Sequence, residues 1–242
     1  ALQVATLTKV ERNGQAGDTS LLRRIWSAGM TQVVARMEAR VPPLVDAIFV
    51  ENTWMYEHYR EEAGDEIVHF APPGIDTTVF HPARRADRRG NYILSVGRLG
   101  DSRKNVSLLF RAYHRLIQSE TDVPKLLLAG LSSPHPSAWS LAQELGIRDR
   151  IEMHEDVPKD ELARLYRHAR LFVLSSNAEG LGLVLAEAMA SGTPVVSTDC
   201  GGPSTLIEDG KSGFLVPIGD EESLADRMGL LLSDPEKGQS MG

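Results

Sequence analysis

A single cysteine, Cys200, is present among the 242 residues, so no internal disulfide is available, and no Cys/His spacing suited to a metal ion accompanies it. Cys200 is expected to serve as a small side chain, and a reducing, cytoplasmic setting is the default. Basic charge is scarce as well. The 26 Lys and Arg against 33 Asp and Glu leave a net charge of −7 with no basic stripe, which excludes an electrostatically driven nucleic-acid binder. No apolar run reaches the length needed to span a bilayer. The opening "ALQVATLTKV" carries neither an initiator methionine nor a basic-then-apolar leader, so the chain reads as a piece of a longer protein. No internal repeat or low-complexity segment competes with a globular reading.

The chain does hold enough apolar material for a core. Its 42% hydrophobic content over 242 residues suits one large domain or two modest ones. Apolar positions at Leu21, Leu22, Ile25, Trp26, Met30, Val33, Val34 and Met37 recur with helical spacing. That helix is read as packed against protein, although Arg23, Arg24, Arg36 and Arg40 would also suit an anionic lipid surface. "VDAIFV" then reads as a strand, "NTWMYEHYREEAG" as a helix and "EIVHF" as a strand. The proline-punctuated "APPGIDTTVFHPARRADRRG" has linker composition and places a domain boundary near residue 85.

Beyond it, apolar strands and amphipathic helices alternate. "YILSVG", "KLLLAG", "RIEMH", "LFVLSS", "PVVST" and "GFLV" read as strands, and the segments between and after them as helices. Short apolar strands separated by helices predict a parallel sheet covered on both faces, with ligands at the carboxyl ends of its strands.

Three strand-to-helix turns concentrate the chemistry. In "NAEGLGLVLAEAMASG", Glu179 precedes the turn, Gly180 and Gly182 let backbone approach a ligand, and Glu187 sits more than one turn inside the helix that begins near Gly182. Unpaired amides at a helix start suit a phosphate. A carboxylate on either side suits the hydroxyls of the two sugars that flank a pyrophosphate. "SVGRLGDSRKN" sets Arg98 and Lys104 in the loop after another strand, where cations can clamp a diphosphate. "DCGGPSTLIEDGKSGFLV" adds a glycine-rich turn at Gly201 and Gly202. Acidic residues at a helix start and solvated lysines and arginines would explain each turn singly. Three on one sheet edge favour a ligand.

These segments resemble the retaining family 4 glycosyltransferases of the GT-B fold, over residues 46 to 233. "AEGLGLVLAEAMASGTPVVSTDCGGPSTLIEDGKSGFLV" is similar to that family's two-glutamate motif with its GG-P and DG-x-x-G elements. "ILSVGRLGDSRKN" is similar to its G-R…K-N element, and "PPGIDTTVFHP" to its interdomain linker. The resemblance implies a Rossmann-like donor-binding domain over residues 85–242, the carboxyl-terminal half of a GT-B fold. Residues 1–84 would be a partial α/β segment, the end of the acceptor-binding domain with the interdomain linker.

Position by position, it implies that Arg98 and Lys104 contact the donor diphosphate, with Gly97 beside them. Glu179 would hold the transferred sugar, Gly180, Leu181, Gly182 and Leu183 would meet the phosphates and sugar, and Glu187 would bind the ribose. Val157 in "EDVPKDEL" would lie near the base. Glu155 stands where the family often has glycine and Leu181 where phenylalanine is frequent, so the base stays open. The implied partner is a nucleotide-diphosphate-sugar donor, with no cofactor and no metal, because Arg98, Lys104 and the helix start supply positive charge. The family's acceptor-domain histidine matches none of His58, His69, His81, His114, His135, His154 or His168. The acceptor is left open, and any peripheral membrane contact would belong to the upstream domain. The expected activity is transfer of a hexose to an acceptor hydroxyl with retention, the piece itself being inactive. A non-catalytic nucleotide-sugar-binding module and a GT-B epimerase or phosphorylase are the alternatives.

Overall fold

Strands whose side chains are apolar on both faces must be covered on both faces, and the large sheet is built from such strands. Leu171, Phe172, Val173 and Leu174 are all buried, as are Val195 to Thr198. The computed structural model describes residues 2–4, 32–33, 36, 38, 40, 42–83 and 90–242. The amphipathic segment from Leu21 to Met37 lies almost wholly outside the described residues, and residues 84–89, where the domain boundary is expected, lie outside them too.

The first unit is a three-stranded parallel sheet in the order β1 (Leu2–Val4), β2 (Ile48–Val50) and β3 (Val68–Phe70). Helix α1 (Thr53–Ala63) packs on it through Met55 and Tyr59, which join Ile48, Val50 and Val68 in a small core. Strand β1 was not foreseen from the sequence. Asn52 caps α1, its side-chain oxygen accepting from the Met55 amide at 2.8 Å.

The second unit is a six-stranded parallel sheet in the order β6-β5-β4-β7-β8-β9. These are β4 (Tyr92–Arg98), β5 (Lys125–Ser132), β6 (Ile151–Glu155), β7 (Leu171–Leu174), β8 (Val195–Thr198) and β9 (Phe214–Val216). The chain winds outward from β4 to β6, then returns to lay β7 on the other side of β4. That reversal makes the β4–β7 boundary the switch point at which an open α/β sheet leaves a crevice. One face is covered by α2 (Val106–Ser119), α3 (Pro136–Glu144) and α7 (Glu221–Ser233), around a core that includes Phe110, Tyr113, Leu128 and Met228. The other is covered by α4 (Lys159–His168) and α5 (Leu183–Ala190) around Leu94, Tyr166, Phe172 and Leu185. Phe80, from the proline-rich segment, is only 3% exposed and packs in this second core.

Three further elements differ from the sequence reading. "LFVLSS" ends as a strand at Leu174, because Ser175 and Ser176 turn their hydroxyls to loop partners. The helix expected in "PSTLIEDG" is the single turn α6 (Pro203–Leu206). The terminal "DPEKGQSM", given no element from sequence, forms α8 (Pro235–Met241), capped by Asp234 with proline at its start and Met241 buried. Among the described residues no helix is long and apolar enough to cross a membrane.

Candidate functional site

At the carboxyl ends of β4 and β7 the two loops flanking the switch point are fastened together. After β4, the chain makes one 3-10 turn, Ser102–Lys104, and Asn105 caps α2 from a left-handed conformation with φ 44°. The Asn105 amide nitrogen Nδ2 donates to Asn177 Oδ1 at 2.9 Å, the Asn177 amide donates to the Arg103 carbonyl at 2.7 Å, and Ser175 Oγ donates to the Lys104 carbonyl at 2.9 Å. These bonds hold the backbone of Lys104 beside the loop that carries Glu179. Lys104 Nζ then donates to Glu179 Oε1 at 2.6 Å, and the fully buried Ser176 hydroxyl donates to the same oxygen.

The loop after β8 completes the arrangement. The Gly202 amide donates to the Glu179 carbonyl at 3.2 Å, and the Glu179 amide to the Cys200 carbonyl at 3.3 Å. A Cβ at Gly202 would stand 2.1 Å from the Gly180 carbonyl oxygen and 2.6 Å from Leu181 Cα, so only glycine admits the turn this close. Cys200 lies beneath, 4% exposed, its thiol pushed up to about 12 by burial, which keeps it protonated and unreactive at neutral pH.

Gly182 opens α5 in the left-handed region at φ 86°, and no side chain caps the helix. Its first amides are left to solvent or to a ligand. Glu187, one turn further, accepts from the Tyr166 hydroxyl at 3.0 Å through Oε2. Burial pushes the Glu187 carboxyl above the usual range, and the Tyr166 bond and the charge of Lys159 oppose that shift.

These elements enclose a cavity of about 550 Å³. Every site residue nominated from the sequence lines it: Gly97 and Arg98 from the end of β4, Lys104 from the turn after it, Val157 from the β6 loop, Glu179, Gly180, Leu181 and Gly182 from the β7 loop, and Leu183 and Glu187 from α5. Arg98 is exposed at the rim, after a register shift between Val96 and Arg98 in the β4–β5 pairing, and among the described residues it makes no ion pair. Arg103 by contrast is occupied by Asp101, at 2.7 Å, whose carboxyl it holds below the usual range. Leu131, Val157, Leu162 and Val184 give the cavity an apolar part beside its charged groups.

Sequence reasoning missed three residues of the first unit. Glu51, directly after β2, also lines the cavity. Asn52 Nδ2 donates to the Gly180 carbonyl at 2.7 Å, and Thr53 bonds Thr205 Oγ1 at 3.0 Å through its amide. The strand-end rule applied to the large sheet would have found Glu51 had it been applied to "VDAIFV". Among the described residues no group of three or more His, Cys, Asp or Glu is placed to hold a metal ion.

Residues 76–242 match the family model described as Glycosyl transferases group 1. Of the curated proteins, a D-inositol 3-phosphate glycosyltransferase of Frankia alni is 35% identical over 189 residues, covering 72% of this chain and 46% of that protein. One of an Arthrobacter species is 33% identical over 225 residues, covering 88% and 50%. The chain thus spans about half the length of these relatives. Among solved structures, sucrose-phosphate synthase from Thermosynechococcus elongatus is similar with a TM-score of 0.78 and 26% identity, over 99% of this chain and 60% of that one. HepE of Anabaena, solved in complex with UDP and glucose, is similar with a TM-score of 0.77 over 99% of this chain and 64% of that one, and at 18% identity it shows the shared GT-B fold alone.

Proposed function

The chain belongs to the glycosyl transferases group 1 family, and from that premise we propose that it is the donor-binding part of a retaining family 4 enzyme that moves a hexose from a nucleotide-diphosphate sugar to an acceptor hydroxyl. Residues 85–242 are the donor-binding domain, and residues 1–84 the linker and the end of the acceptor-binding domain. The observation that carries the reading is the convergence of every nominated residue, from a strand end, loops and a helix, on one cavity at the switch point of the sheet.

In transfer, the bond from the anomeric carbon to the phosphate oxygen breaks with its electron pair going to the diphosphate, the acceptor oxygen bonds to the anomeric carbon on the face the phosphate leaves, and the acceptor's proton passes to the departing diphosphate. Negative charge therefore grows on the diphosphate. Arg98, Lys104 and the first amides of α5 are the groups that offset it, in a site half closed to water where such groups act strongly. Glu179 takes hydroxyls of the transferred sugar, Glu187 takes the ribose, and the apolar part around Val157 takes the base. On this reading the positive charge comes from the protein, so neither metal nor cofactor is required. The setting is cytoplasmic, and the acceptor and any membrane contact belong to the upstream part of the protein. This chain alone binds donor without transferring sugar.

The test is calorimetric titration of the chain with UDP, UDP-glucose, ADP-glucose and GDP-mannose, each with and without EDTA, followed by assay for released sugar. Binding of at least one nucleotide sugar, unaffected by chelation and without turnover, is the expected result. Failure of all of them to bind overturns the reading, loss of binding on chelation overturns its metal-free part, and turnover by this chain overturns the assignment of transfer to the longer protein.

A further inference from the structure

Tyr166 is placed for a task that burial alone does not require. Its side chain is completely buried, and its ring is held by Phe80 at 5.9 Å and 75° and by Phe172 at 5.6 Å and 52°. Its own carbonyl accepts from the Thr193 hydroxyl and from the Ala169 amide, which fixes the end of α4 against the chain before β8. The phenol therefore has little freedom, and its hydroxyl meets Glu187 Oε2 at 3.0 Å. Among the described residues the other oxygen, Oε1, has no partner. Glu187 lines the cavity, while Tyr166 stands behind it, out of reach of any ligand there.

A carboxylate on a helix rotates about three side-chain bonds, and held at one oxygen it presents the other in one direction. Burial disfavours the charged form of Glu187, and an O–H donor aimed at it favours that form. A charged acceptor fixed in orientation makes the stronger hydrogen bond to an incoming hydroxyl. We infer that Tyr166 is a positioning residue for nucleotide recognition: its hydroxyl locks Oε2 of Glu187 so that Oε1 receives the ribose hydroxyls of the nucleoside diphosphate. This rests on the assignment of Glu187 to the ribose made above.

The test compares UDP with 2′,3′-dideoxy-UDP on the wild-type chain, on Tyr166→Phe, which keeps the ring and its packing, on Glu187→Gln, and on the double variant. The wild type is expected to prefer UDP by about tenfold or more. Tyr166→Phe is expected to weaken UDP by about three- to tenfold while leaving the dideoxy ligand unchanged, and to add no further loss once Glu187 is Gln. A purely structural hydroxyl would lower the melting temperature or weaken both ligands equally, and an unchanged ribose preference in Tyr166→Phe overturns the inference. A wild-type chain indifferent to the ribose hydroxyls overturns the Glu187 assignment itself, a result read before any variant is made.

Discussion

Lys104 Nζ and Glu179 Oε1, 75 positions apart in sequence, stand 2.6 Å apart at the point where the sheet reverses direction. Their side chains are only 13% and 12% exposed, so the pair is shielded from solvent and each charge is compensated by the other. On the donor-binding reading proposed above, a diphosphate arriving at Lys104 would compete with Glu179, and the carboxylate it displaces would become free to meet the sugar.

That exchange gives the two residues opposite signatures. Glu179→Gln removes the competitor and should tighten free UDP by about two- to fivefold, while abolishing the extra affinity that a sugar-bearing donor has over UDP. Lys104→Ala should weaken both ligands about tenfold or more, and in the proposed full-length enzyme should cut turnover by roughly 10²- to 10³-fold. Calorimetry with UDP and UDP-glucose decides it: weaker UDP binding by Glu179→Gln would refute the competition.

Glu187 should carry a cost in stability that is visible in its pH dependence. Its carboxyl is held above the usual range by burial, so as pH rises the unfolded chain gives up this proton before the folded one does. The resulting penalty is absent below the ordinary Glu range and complete above the raised folded value. Glu187→Gln removes it and still offers Tyr166 an acceptor oxygen. The variant should melt above wild type at about pH 7, with the advantage closing as pH falls through the carboxylate range, even as it loses UDP affinity. Thermal melts across pH measure this, and a Gln variant that melts lower at neutral pH would refute it.

Gly202 and Gly210 should respond differently to alanine. At Gly202 the added Cβ meets the main chain of Gly180 and Leu181, and backbone cannot yield as a flexible side chain can. Gly202→Ala should cost about 1–3 kcal/mol of stability and weaken UDP more than tenfold by displacing the turn. Gly210, at φ 76°, has nothing within 4 Å, so alanine there should cost about 1–2 kcal/mol from backbone strain and leave UDP affinity intact. Equal binding losses in the two variants would mean that Gly202 acts through stability alone.

The large sheet was legible because its strands are short, apolar and separated by helical segments, a pattern that local sequence states directly. Arg98, Lys104, Glu179 and Glu187 were legible for a related reason, since a parallel sheet gathers all its strand-to-helix turns on one edge, whereas Gly97, Val157, Leu181 and Leu183 were reached only through the family resemblance. The Lys104–Glu179 pair was not legible, and the two residues were assigned to different parts of a ligand. Their contact depends on β7 lying beside β4, a matter of strand order that no spacing encodes. Asn52 illustrates the same limit. Its side-chain oxygen caps α1, a local role, but its amide nitrogen serves a carbonyl 128 positions away. Helix α8 was missed despite Asp234 and Pro235, a cap followed by a helix-starting proline, because "EKGQSM" lacks an apolar stripe.

The bond from Asn52 to Gly180 reaches past the oxygen it holds. The Gly180 carbonyl and the Leu181 N–H are opposite ends of one rigid peptide plane, and a donor on the oxygen draws electron density from the nitrogen, sharpening the N–H as a donor. Leu181 lines the cavity, so the polarity of a peptide in its wall is set in part by the side chain that caps α1. A swing that carried α1 away from the turn would break this bond and blunt that peptide dipole, turning a mechanical displacement between the two sheets into an electrical change at the site.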